Sequence, residues 1–185
     1  MKKIHLYIAI CLMLIGCGDD DTARNGNEFL NQITGVYYLT EVQSDVAVDL
    51  NLDGVPQTDL LTEIDCFSGY PPEAFRGDII FKPESGGYKS LNFRIIEHSR
   101  FLGDIPEDTC FNEVSLVYEY TVNEETKEVI ITWRDGEREA EYGTLVDVKW
   151  MDNKVHYTVN KRYYTSEGWQ NVNIHLTYDK FIENK

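Results

Sequence analysis

Positive charge is scarce in this 185-residue chain: 17 Lys and Arg stand against 32 Asp and Glu, for a formal net charge of −15. A surface of that sign repels polyphosphates and anionic headgroups alike, which excludes nucleic acid and direct adhesion to an anionic bilayer. Long apolar runs are missing as well. The longest, Ile4 to Ile15 with His5 interrupting it, is too short for a membrane-spanning helix. Histidine is rare, and once His5 is set aside, His98, His156 and His175 stand far apart with no His-x-x-x-His or His-Glu-x-x-His spacing for zinc. Nucleophile elbows, phosphate loops, dinucleotide fingerprints, long helical periodicities and internal repeats are all lacking. Acidic pairs are common only because 32 acids make chance pairs everywhere. The chain therefore reads as a non-enzyme. Aromatic residues, by contrast, are plentiful: 12 Tyr, 8 Phe and 3 Trp in a chain that is 42% apolar supply one packed core and rule out disorder.

The first residues read as an address. Lys2 and Lys3 precede the apolar run, the layout of a secretory signal. Leu14-Ile15-Gly16-Cys17 resembles the lipobox of bacterial lipoproteins, which implies a signal peptide over 1–16, lipidation of Cys17 and membrane attachment through acyl chains. Loss of residues 1–16 removes two lysines and no acid, leaving 15 basic against 32 acidic residues, a net charge of −17. Residues 17–32 are assigned to the lipidated cysteine and a flexible acidic tether, and 33–185 to a single folded domain. Asp19-Asp20-Asp21 resembles the export signal that sends Bacteroidetes lipoproteins to the cell surface. That implies an outer-membrane anchor facing outward, with a periplasm-facing anchor or a plain solvated linker as the alternatives.

Cysteine usage fits an exported chain. With Cys11 lost and Cys17 lipidated, Cys66 and Cys110 remain, and a Cys66–Cys110 disulfide is the simplest expectation in an oxidising compartment. Closing a loop of about 45 residues is worth at most roughly 4 kcal/mol in the chain-entropy account. The rival, a thiol nucleophile or a metal pair with His98, lacks the usual spacing.

From about residue 33 the dominant pattern is alternation with period two. Val114, Leu116, Tyr118, Tyr120 and Val122 fall on one face. Val129, Ile131 and Trp133 resume it, Arg134-Asp135-Gly136-Glu137 reads as a tight hairpin, and Tyr142, Val146, Val148 and Trp150 continue. Val155, Tyr157, Val159 and Tyr163, then Val172, Ile174, Leu176, Tyr178 and Ile182, complete five strands joined by short turns. Upstream, 34–42, 78–82 and 88–97 read as strands, and residues 59–65 as a short helix over one end. This reads as an all-β chain: an antiparallel up-and-down meander of about eight or nine strands, long enough to close on itself and abolish its edges.

Gly35-Val36-Tyr37 resembles the Gly-x-Trp start of lipocalins, with Tyr37 where that family has Trp. Together with Asp49 to Gly54, Asp59-Leu60-Leu61 and Cys66, it is similar to the lipocalin-like domain of small Bacteroidetes lipoproteins. The resemblance implies a calyx-type barrel that holds a small hydrophobic molecule.

Two sets of side chains are candidates for function. Asp49-x-Asn51-x-Asp53-Gly54 repeats oxygen donors as the first half of a calcium loop does. Loop position 12 is Leu60 where an EF-hand has Glu, so Asp59 or Glu63 would have to close a shorter site of structural calcium. The alternative is a polar turn that uses Asp, Asn and Gly for their backbone preferences. The second set is the inward aromatics, Tyr118, Tyr120, Trp133, Tyr142, Trp150, Tyr157 and Tyr163, which either line a ligand pocket or fill the interior. Tyr164 and Trp169, expected to face outward, would serve the competing role of stacking on a glycan or a partner protein at the cell surface.

Overall fold

The computed structural model describes residues 27–64, 74–97, 100–102, 105–107 and 112–182. Cys17, Cys66, Cys110, His98, the signal segment and most of the tether lie outside the described residues.

The alternation written in the sequence becomes burial. In β10 (Lys154–Thr165), Val155, Tyr157, Val159, Lys161, Tyr163 and Thr165 are buried while the residues between them are not. β11 (Gly168–Lys180) turns Val172, Ile174, Leu176 and Tyr178 to the same interior. Ahead of these come α1 (Glu28–Ile33), β1 (Gly35–Val48), β2 (Gln57–Asp59), α2 (Leu60–Glu63), β3 (Arg76–Lys82), β4 (Tyr88–Glu97) and the short β5 (Arg100–Leu102) and β6 (Ile105–Glu107). β7 (Asn112–Asn123), β8 (Glu128–Arg134), α3 (Gly136–Tyr142) and β9 (Thr144–Met151) follow.

Eight strands hydrogen-bond in the order β8-β7-β4-β3-β1-β11-β10-β9, with β2 added to β1, while β5 and β6 form a separate ribbon. Every pairing among the described residues is antiparallel, and β1 joins both β3 and the final strand β11. The chain is thus an all-β, up-and-down barrel whose first and last strands meet, as expected. It is nearly closed. Among the described residues no ladder joins β8 to β9, and that seam is the barrel's opening.

The seam corrects the expected hairpin at 134–137. Asp135 accepts a hydrogen bond from the Arg138 backbone N–H at 3.1 Å, so Asp-Gly starts a helix here instead of a turn. The Glu-Arg-Glu-Ala-Glu stretch that follows is made of good helix formers. Gly143 ends α3 at φ +126°, where a Cβ would lie 2.9 Å from Val159 Cγ1. Side chains stitch what the backbone leaves open: Arg134 Nη1 donates to the Leu145 carbonyl at 2.7 Å, and buried Glu139 accepts from the Leu145 N–H at 3.1 Å.

Two register shifts explain further departures. Between Glu119 and Tyr120 the partner count on β8 jumps past Thr132, so Ile131 faces in and Trp133 faces out. Between Thr158 and Val159 the ladder skips Val146, which is exposed, while Leu145 takes the buried place. An extra residue in one strand reverses the faces beyond it.

The folded body also begins earlier than expected, at α1. Phe29, Leu30 and Ile33 recur at helical spacing and are buried under the barrel floor. The amides of Phe29 and Leu30, which have no partner within a helix's first turn, donate to Glu124 at 2.8 and 3.1 Å. Glu124 stands on the β7–β8 turn, so one carboxylate fastens the plug to the wall.

Candidate functional site

The barrel centre is a stack of rings. Phe93 lies parallel to Tyr157 with centroids 4.0 Å apart and parallel to Tyr118 at 5.8 Å, and Tyr178 meets Tyr157 edge-on at 5.7 Å. Gly77 on β3 makes room for this: a Cβ there would touch the Tyr178 ring at 3.4 Å and the Asn92 carbonyl at 3.0 Å. Tyr178 donates to the Arg94 carbonyl at 2.6 Å and accepts from the Arg94 N–H at 3.1 Å, tying β11 to β4.

Hydroxyls of the other inward tyrosines are also held by protein. Tyr118 donates to Glu139 at 3.0 Å, and Tyr120 to the Ile80 carbonyl at 3.3 Å. Burial, with the negative Glu139 beside it, pushes the Tyr118 hydroxyl well above its ordinary pKa. Burial does the same to Tyr120 and Tyr157. Lys161, only 3% exposed, points inward, donates to the Tyr142 carbonyl at 3.1 Å and lies over the Tyr163 ring at 5.3 Å.

Of the expected interior aromatics, the structure therefore brings Tyr118, Tyr120, Tyr157 and Tyr163 into the core. It does not bring in Trp133, which is 49% exposed, because the β8 register shift turns it outward. Tyr142 closes helix α3 instead of lying on a strand, again because Asp135 begins a helix. Trp150 is partly buried at the floor end of the seam. Its ring packs edge-on against Phe29 at 5.9 Å, and its Nε1–H donates to the Tyr37 hydroxyl at 3.1 Å. Tyr37 in turn donates to the Ile33 carbonyl, and burial raises its pKa to about 12 against the lowering effect of the Trp150 bond. Tyr37 and Trp150 thus share the floor of the barrel.

Beside Trp150, between β8 and β9, opens a groove of about 370 Å³. Val129, Val148, Trp150 and Met151 give it apolar walls, and Lys127, Lys149 and His156 stand on its rim. It exists because α3 spans the seam higher up, leaving the lower parts of β8 and β9 without a shared ladder. Its volume lies within the range of small-molecule sites, at the low end. A second hollow of about 360 Å³, around Gly86, Gly87, Tyr88 and Glu119, is lined mostly by polar groups and glycine backbone.

At the other end of the barrel, the 49–54 turn is tightly organised. Asn51 accepts from the Asp53 N–H at 3.0 Å, Asp53 accepts from the Val55 N–H at 2.8 Å, and Asp49 accepts from the Gly54 N–H at 3.1 Å. Asp59 accepts from the Leu61 N–H at 3.0 Å and caps α2. Glu63, fully buried at the end of α2, reaches back to the turn and accepts from the Leu50 N–H at 2.9 Å. Among the described residues, no three His, Cys, Asp or Glu side chains already form a metal cage.

On the outer wall, Trp169 is 46% exposed, meets Tyr164 edge-on at 5.5 Å, and has the Arg162 guanidinium 4.7 Å from its ring centre. His156 and His175 also face outward, paired with Thr177 and Thr158 hydroxyls at 3.2 and 3.1 Å. Glu124 and Glu139, which fasten the floor and the seam, were not legible as special: each is one acid among many, and its role depends on a helix that alternation does not announce.

No protein-family model matches the chain, and no curated relative matches it. Two solved structures do, a complex of bovine odorant-binding protein with undecanal and the odorant-binding protein from bovine nasal mucosa. Each is 11% identical, covers 84% of this chain and 76% of that chain, and has a TM-score of 0.31.

Proposed function

We propose that this protein is a lipid-anchored, non-enzymatic binding protein that takes a small hydrophobic molecule into the groove at its open seam. One observation carries the reading: the barrel leaves β8 and β9 unpaired over an apolar groove of about 370 Å³, walled by Val129, Val148, Trp150 and Met151. The stacked rings of the centre favour the seam over the axis as the place of entry. The lipobox at Cys17 supports an outer-membrane anchor, and Asp19 to Asp21 support display at the cell surface.

The experiment is a titration with the apolar dye N-phenyl-1-naphthylamine, followed by tryptophan quenching. Saturable one-site quenching that Trp150→Phe removes and Met151→Arg weakens supports the groove. Binding unchanged in both variants refutes it. A second reading, contact with a glycan or partner protein, rests on the exposed Trp169 ring with Arg162 and Tyr164 around it. Glycan-array binding abolished by Trp169→Ala, with no dye uptake, would favour that reading instead.

A further inference from the structure

Where β1 ends and α2 closes, two buried carboxylates are each half engaged. Asp49, 2% exposed, uses Oδ2 to accept from the Gly54 N–H, and Glu63, 0% exposed, uses Oε2 to accept from the Leu50 N–H. Their remaining oxygens, Asp49 Oδ1 and Glu63 Oε1, are buried with no hydrogen-bond partner. Both carboxylates grip the backbone of the same turn, residues 49–54. Buried carboxylate oxygens without a donor are costly, and native folds satisfy such atoms with a proton, a water or a cation. Asp49 and Asp53 also lie near enough to Glu63 to disfavour its charge in addition to its burial.

We propose that this turn binds one calcium ion, with Asp49 and Glu63 as its carboxylate ligands. Every donor nearby is a hard oxygen, and Asn51 and Asp53 bring side-chain oxygens on the same turn. Asp53 is engaged with the Val55 N–H and the Asn51 amide, which is why three carboxylates do not already converge. Two carboxylates supplemented by carbonyl and water oxygens suit a weak extracellular-type site, with a dissociation constant of roughly 10⁻⁴–10⁻³ M. The ion would lock the end of β1 to α2. Through the Ser166 N–H, which donates to the Asp49 carbonyl at 3.2 Å, it would also steady the β10–β11 turn. Glu63, not Asp59, is the closing ligand.

Calorimetric titration of the chelator-treated full chain with calcium chloride, paired with thermal melting, tests this. The expected result is a single site and a melting temperature that rises with calcium and not with an equal concentration of magnesium. Glu63→Gln, which keeps an acceptor for Leu50, should weaken calcium binding roughly tenfold or more by removing ligand charge, and Asp49→Asn should do the same if the first variant folds poorly. Calcium that gives neither heat nor a melting shift in the unmodified chain overturns the proposal. So does a full calcium response in Glu63→Gln. Stabilisation by mild acid alone, lost in Glu63→Gln, would mean that the two carboxylates share a proton, and would overturn it too.

Discussion

The indole N–H of Trp150 donates to the hydroxyl of Tyr37 at 3.1 Å, joining β9 to β1 across the barrel floor. Because the Tyr37 hydroxyl in turn donates a hydrogen bond to the Ile33 carbonyl, the pair also holds the end of α1. Trp150 is at the same time a wall of the seam groove. Floor, plug and groove are therefore one mechanical unit, and a ligand in the groove would be felt at the floor.

Tyr37→Phe tests that unit. The ring remains, but the Trp150 N–H and the Ile33 carbonyl lose their partner in a buried place. Leaving buried polar groups unpaired costs about 1–3 kcal/mol. The expected outcome in urea denaturation is a lower midpoint with an unchanged slope, together with a shift in Trp150 emission. An unchanged midpoint would mean the floor is held by packing alone.

The seam gives a second prediction. Glu139 accepts from Tyr118, from the Leu145 N–H and, at 3.4 Å, from Arg134, whose side chain is 42% exposed. The ion pair with a solvent-washed Arg134 is worth little, so most of the loss in Glu139→Ala comes from the two buried donors, roughly 2–3 kcal/mol. Glu139→Gln keeps an acceptor oxygen and should lose less. Hydrogen exchange at the Leu145 amide should accelerate in both, more in the alanine variant, and hardly at all at Val155 in the neighbouring ladder.

How far the sequence led can be judged at particular residues. Period-two alternation is a local signal, so β4 at Tyr88–Glu97 and β10 at Lys154–Thr165 could be read directly, as could the up-and-down order of the strands. Trp133 and Val146 went astray because a bulge is decided by the partner strand, which a single strand's pattern does not contain. Asp135-Gly136 suits a hairpin and a helix start equally, and only the helix formers after it decide. Within the 49–54 turn the polar residues were legible, but the parts played by two nearby acids were not: Asp59 caps α2 and Glu63 reaches back to the Leu50 N–H, and only the fold decides which does which.

Outside the described residues, the cysteines make their own prediction. Purified mature protein should show no free thiol under denaturing conditions if Cys66 and Cys110 are joined, and reduction should lower the melting temperature by an amount equivalent to at most about 4 kcal/mol. Cys17→Ala should move the chain from the membrane to the soluble fraction. Two free thiols, or continued membrane retention, would contradict the respective assignments.

The buried tyrosines are expected to set the alkaline limit of the fold. Burial raises Tyr37 to about 12 from an ordinary value of 10.0, and Tyr118, Tyr120 and Tyr157 are raised as well. A folded-state value above the unfolded one means that the stabilisation is complete below the unfolded pKa and is lost as pH rises toward the folded one. Above the ordinary value of 10.0 the unfolded chain therefore sheds protons that the folded chain keeps. Each such tyrosine lowers stability by about 1.4 kcal/mol per pH unit in that window. With four acting together, unfolding should be steep and should coincide with the rise in tyrosinate absorbance, while far-ultraviolet dichroism is lost over the same range. Tyr37→Phe removes one proton from this balance and should make the loss shallower. Tyrosinate formation complete before any loss of dichroism would show that these hydroxyls titrate inside the folded barrel, and that their burial does not set its alkaline limit.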